Sequence, residues 1–90
     1  MESRVNKRKR QDDALFRKNK IIAYERADGL CEVCGAPAVE CHHIIFRSHC
    51  GTSVLINLIC LCRACHEMAH GPKAKQMREL FIKIRGRDND

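Results

Sequence analysis

Ninety residues with one Tyr, three Phe and no Trp suffice for one domain but leave few bulky groups to fill its core, so a structural metal is the expected supplement at this size. Seven cysteines are an odd number, and no stretch of residues 1–20 is apolar enough for a secretory leader, which speaks against a secreted disulfide framework and for a reducing cytoplasm; nothing is long and apolar enough to span a membrane. The formal charge of +6 divides into +5 over residues 1–20, −2 over 21–72 and +3 over 73–90, two basic ends that point to a polyanion, nucleic acid above all, with ordinary solvated surface as the bland alternative.

Residues 1–10, with Arg4, Lys7, Arg8, Lys9 and Arg10, read as a basic mobile arm ahead of a single domain over 11–90. Asp12 or Asp13 is the expected cap of a first helix whose apolar positions are Leu15, Ile22 and Ala27, with Phe16 and Ile21 beside them, and which Gly29 ends. Residues 31–35 form a tight knuckle, with Gly35 allowing the turn after the second cysteine. Residues 38–46 make the best strand, 47–53 a polar loop, and 54–61 a returning strand interrupted by Asn57. From Cys62 the pattern turns helical until Gly71-Pro72 stops it. A last amphipathic helix over 73–85 presents Met77, Leu80, Phe81 and Ile84 on one face. The expected class is therefore α+β, a small core over 27–72 with flanking helices.

Two ligand sets interlock within that core. Cys31 and Cys34 form one CxxC pair and Cys62 and Cys65 another, with 27 residues between them. Two residues between thiolates let both sulfurs of a knuckle reach one ion, and four thiolates complete a tetrahedral zinc shell with no position left for substrate. Such a clip joins the ends of the intervening hairpin, and its binding energy, on the order of 10 kcal/mol for structural zinc, becomes folding energy. Cys60 and Cys41 read as buried strand residues, and Cys50 as a free thiol in the polar loop.

The second set is His42-His43-Ile44, then Asn57-Leu58, then His66 and His70. Side chains at 65 and 66 diverge by about 100° around a helix, so Cys65 can face the zinc while His66 faces another site, and His70 shares the face of His66. Strict pleating sends His42 and His43 to opposite faces of their strand, so the strand must twist or end there if both serve one site. His49, alone in the loop, reads as a surface residue, and Arg47 beside it as a loop cation or phosphate contact.

The ordered run Cys31…Cys34…His42-His43-Ile44…Asn57-Leu58…Cys62-Arg63-Ala64-Cys65-His66 resembles the HNH (His-Asn-His) endonucleases in their zinc-clipped form, whose core is a ββα-metal or His-Me finger. The resemblance implies that His43 is the general base, His42 and His66 hold a catalytic divalent metal (Mg²⁺, Mn²⁺, Ni²⁺ or Zn²⁺), and Asn57 braces the loop carrying the base. It leaves His70 open between metal ligand and phosphate contact. It also implies a phosphodiester hydrolase that nicks or cuts duplex DNA with little sequence preference. The small size is similar to phage-encoded members, which implies the host cytoplasm and DNA-packaging proteins as partners. The family's usual Gly-Gly loop is here Arg47-Ser48-His49-Cys50-Gly51. Imidazole ligands suit manganese, nickel or zinc better than magnesium, which prefers oxygen. A reading from another class, a non-catalytic zinc module that binds nucleic acid or a protein, uses the cysteines and the basic ends but has no need of His42, His43, Asn57 and His66 together.

Overall fold

A continuous apolar run, Leu58-Ile59-Cys60-Leu61, sets the layering, because a strand with no polar position has no face to give to water. In the computed structural model, which describes residues 4–88, that run is strand β2 (Leu58–Leu61), buried along its whole length. It pairs antiparallel with strand β1 (Glu40–His43) in the register Cys41↔Cys60, His42↔Ile59, His43↔Leu58. Ile59 and Leu61 join the larger core cluster with Ile44, Ala69, Met77 and Phe81, while Leu58 and Cys60 join Cys41 and Ala23 on the other side. The first cluster is covered by helices α2 (Arg63–His70) and α3 (Ala74–Asp88), the second by helix α1 (Arg4–Arg26). The result is a three-layer α+β fold, in which β1, β2 and α2 form a ββα unit.

Both strands are shorter than their apolar patterns predict. Ile44 still pairs, donating to Asn57 O at 2.8 Å, but Phe46 already precedes a single 3-10 turn over Arg47–His49. The first half of the expected return strand is likewise a 3-10 turn, Leu55–Asn57. The loop between them folds back on itself: Gly51 N donates to Phe46 O at 2.9 Å, and a Cβ at Gly51 would overlap the Ile45 carbonyl. Only glycine fits there.

Helix α1 begins earlier than the expected cap. Residues 4–10, expected as a mobile arm, are its first turns, and Asp12 and Asp13 lie inside it, while residues 1–3 are outside the described residues. Straight-chain Arg, Lys and Gln are good helix formers, and neither Gly nor Pro interrupts the run. Its buried face also differs from the expected stripe. Asn19 and Ala23 are buried while Ile21 is 62% exposed. The helix stops at Arg26, and Asp28 and Gly29 take left-handed φ values of 55° and 71°. In α3, Met77 and Phe81 face the core as expected, but Leu80 turns outward, and Arg85, four residues after Phe81, is buried.

Arg85 is buried against Glu32, which sits inside the cysteine knuckle. Glu32 also knits the knuckle to β2: its N–H donates to Cys60 O at 2.9 Å and its carboxylate accepts from Cys60 N at 2.8 Å. Among the described residues no helix is long and apolar enough to cross a membrane.

Removing one partner of a buried ion pair strands the other charge. Glu32→Ala is therefore expected to lower the unfolding free energy by about 3–5 kcal/mol in chemical denaturation at fixed zinc excess. Glu67→Ala, which breaks only the exposed 3.5 Å pair with Arg63, should change it by less than about 1 kcal/mol. Equal effects would refute the structural weight given to Glu32.

Candidate active site

Cys31, Cys34, Cys62 and Cys65 meet: their four Sγ atoms lie within 4.8 Å of one another, and Cys34 Sγ and Cys62 Sγ are 3.5 Å apart. Zinc–sulfur bonds of about 2.3 Å place tetrahedral sulfurs about 3.8 Å apart, so the cluster fits a structural zinc site. Gly35, at φ 83°, closes the first knuckle. Cys62 is the N-cap of α2, its sulfur accepting from Cys65 N at 3.5 Å. Burial raises the Cys31 thiol, but backbone groups of Cys34, Cys62 and Val33 outweigh it and bring the pKa to about 6, which favours the thiolate a metal needs. Cys41 and Cys60 face each other across the ladder, away from the four. Burial and the neighbouring Cys60 push Cys41 up to about 12, so it remains a neutral thiol.

His42, on the α2 side of β1, reaches the two helix histidines. One nitrogen from each of His42, His66 and His70 lies within 4.8 Å of the others, and the Nε2 atoms of His66 and His70 are 3.2 Å apart. The His42 ring stands edge-on to His66 and His70, at centroid distances of 5.5 and 5.3 Å, and rests on Phe81 at 5.5 Å. Burial, followed by the nearby His70, His66 and His43, pushes the His42 pKa down to about 4. Its imidazole is neutral at pH 7, the form that donates a lone pair to a metal. Three convergent nitrogens suit a divalent transition ion, so this donor set also fits a metal. His70, left open by sequence, stands with His42 and His66.

His43 lies on the opposite face of the strand, as pleating dictates, and β1 ends there. Its ring packs on Phe16 of α1 at 4.7 Å, and Nε2 is 2.8 Å from Ser53 Oγ. Burial, with Arg47 adding to it, lowers the His43 pKa, against the opposing pull of Asp12. Ser53 is fully buried. Its N–H and hydroxyl donate to the two oxygens of Asp12, each at 2.8 Å, and its carbonyl accepts from Asn19 Nδ2 at 2.9 Å. Burial would raise the Asp12 pKa, but the Ser53 hydrogen bonds and Arg47 outweigh it and hold it low. Arg47, considered as a phosphate contact, pairs with Asp12 at 3.1 Å and Asp13 at 2.8 Å.

Asn57 clasps the loop after β1. Its Oδ1 accepts from Ile45 N at 2.8 Å, and its Nδ2 donates to Ile45 O at 3.1 Å and Thr52 O at 2.7 Å. His42, His43, His66 and His70 line one cleft of about 430 Å³, with Phe46 and Arg47 at its wall. A second hollow of about 610 Å³, bordered by Arg8, Lys9 and Gly51, shares Arg47 and Ser48 with it. His49 is exposed and stacks on Phe46 at 6.0 Å. Sequence reasoning missed Asp12, Asn19 and Ser53. The available signal was the spacing of Asp12, Phe16, Asn19 and Ala23, which places all four on one helical face.

The segment of residues 31–71 matches the HNH endonuclease family. It contains both ligand sets and leaves α1 and α3 outside. No curated protein matches the chain in sequence.

Cys34→Ser is expected to lose bound zinc and most helical circular dichroism, since the clip carries much of the folding energy; an unchanged melting temperature would remove it from that role. Asn57→Ala should keep its zinc but lose about 1–3 kcal/mol of stability, with faster hydrogen exchange at the Ile45 amide. Unaltered exchange there would show that the clasp does not hold the loop.

Proposed function

We propose that this chain is a metal-dependent DNA endonuclease that hydrolyses phosphodiester bonds. The observation that carries this reading is the convergence of the His42, His66 and His70 nitrogens on a cleft that His43 also lines, within the segment that matches the family. In this reading His42 and His66 hold the divalent metal, with His70 as a third nitrogen donor. When bound, the metal supplies Lewis-acid stabilisation of the charge on the scissile phosphate and its leaving oxygen.

The remaining work falls to the chain's own residues. His43, kept neutral by its buried setting, takes the proton of the attacking water. Asn57 fixes the backbone at Ile45, two residues beyond His43, and so holds the end of the strand that carries the base. Arg8 and Lys9, exposed at the adjoining hollow, contact backbone phosphates, an attraction blind to base sequence. Duplex DNA cut with little sequence preference is the substrate this arrangement favours.

The test is nicking of a supercoiled plasmid with Mg²⁺, Mn²⁺, Ni²⁺ or Zn²⁺. Wild type should cleave in at least one metal, and His43→Ala should keep its melting temperature while losing about 10²–10⁴-fold in rate, the usual contribution of a general base. Undiminished cleavage by His43→Ala would remove His43 as the base. A single tightly held zinc, no second divalent ion bound and no cleavage under any condition would leave a non-catalytic zinc module.

A further inference from the structure

We propose that Asp12 of α1, acting through the buried hydroxyl of Ser53, sets the tautomer and orientation of the His43 ring, leaving Nδ1 as its unprotonated nitrogen. The proposal makes Asp12 and Ser53 positioning residues, and their relevance to catalysis rests on His43 being the base proposed above.

A hydroxyl has one proton to give and two lone pairs to fill. Ser53 Oγ has three polar neighbours: Asp12 Oδ2 at 2.8 Å, His43 Nε2 at 2.8 Å and Arg47 Nη2 at 3.3 Å. Arg47 can only donate, and an ionised Asp12 can only accept. The ion pair with Arg47 and the hydrogen bond from Ser53 N both favour the ionised carboxylate. The single hydroxyl proton therefore goes to Asp12, because giving it to His43 would set Oγ and Oδ2 lone pair against lone pair at contact distance. Two acceptor positions remain, one for Arg47 and one for His43. His43 must then donate from Nε2, and a neutral imidazole protonated at Nε2 carries its basic lone pair on Nδ1. Water's proton would go to Nδ1, and the Nε2–H bond to Ser53 would stay in place.

The environment holds this arrangement from several sides. Ser53 has no exposure to solvent, so no water competes for its hydroxyl. Asp12 grips both Ser53 N and Oγ, and Asn19 holds the Ser53 carbonyl. Phe16 packs on the His43 ring itself. Asp12, Phe16 and Asn19 stand at i, i+4 and i+7 on α1, so a single helical face delivers all three. That helix lies outside the segment matched by the family.

The test reads the side-chain ¹⁵N shifts of His43 by long-range proton–nitrogen correlation in the full, zinc-loaded chain, at a pH where the ring is neutral. Wild type is expected to show a protonated-type Nε2 and an unprotonated-type Nδ1. Asp12→Ala frees the Ser53 proton for Nε2, so the pattern should move toward the Nδ1–H form. Its kcat for nicking should fall about 10–100-fold, the range for residues that orient a functional histidine, with KM little changed. If Asp12→Ala does not fold, the isosteric Asp12→Asn reads the same redistribution, its amide donating to Ser53 Oγ and leaving the hydroxyl proton for Nε2. An Nδ1–H pattern in wild type, or a pattern unmoved in both variants, would overturn the proposal. The expected ¹⁵N patterns in a wild type that cleaves nothing would support control of the ring by Asp12 while sinking the nuclease reading, so the two can fail separately.

Discussion

Cys62 is the residue on which the geometry turns. It directly follows β2, its sulfur belongs to the four-cysteine cluster, and the same sulfur caps the first turn of α2. A strand and a helix are thereby joined at one atom with almost no slack. Because α2 is eight residues long, its direction is decided by that joint and by Ala69 against the core. Cys65 faces the sulfurs, so His66 must turn about 100° away and His70 must follow it. The placement of two imidazoles is thus a geometric consequence of where four thiols meet.

The pleat of β1 then divides the chemistry. His42 and His43 are neighbours in sequence and belong to different surroundings. One stands among imidazoles with an aromatic floor; the other stands against α1 in a network of hydroxyl, carboxylate and guanidinium. Burial lowers the proton affinity of both, but only His43 has an anion nearby to oppose it. Two histidines of identical intrinsic chemistry thereby acquire distinct electrostatic settings from a period of two along the strand.

The features most legible in sequence were those whose chemistry is local. CxxC spacing reports a knuckle because sulfur bite is short-range, and Gly71-Pro72 stops a helix whatever surrounds it. The order of His42, His43, Asn57 and His66 pointed to the family that residues 31–71 match. Helix α1 was misread for a physical reason. Its buried face carries Asp12 and Asn19, whose partner Ser53 lies 41 and 34 residues away, and apolar periodicity is blind to a polar face satisfied at that distance. The strands were drawn too long for a similar reason: the Asn57 side chain captures the backbone of Ile45 and Thr52, bending segments that local propensity would extend. Gly51 looked like a loop residue, and only the fold reveals the carbonyl that excludes a side chain there.

Strand β2 has no solvent side. Leu58 and Cys60 are sealed from above by Ala23, and Ile59 and Leu61 from below by the helices that follow. The segment bearing both ligand sets is therefore a cartridge with two open walls, one closed by α1 and the other by α3. Transplanted alone, the cartridge would present an apolar strand to water and a histidine with nothing to hold its ring. A host able to receive it must offer a small residue over β2, an apolar face in place of Met77 and Phe81, and an anion within reach of Ser53. Compatibility between such a module and its flanking sequence is thus a matter of three contacts, two of shape and one of charge.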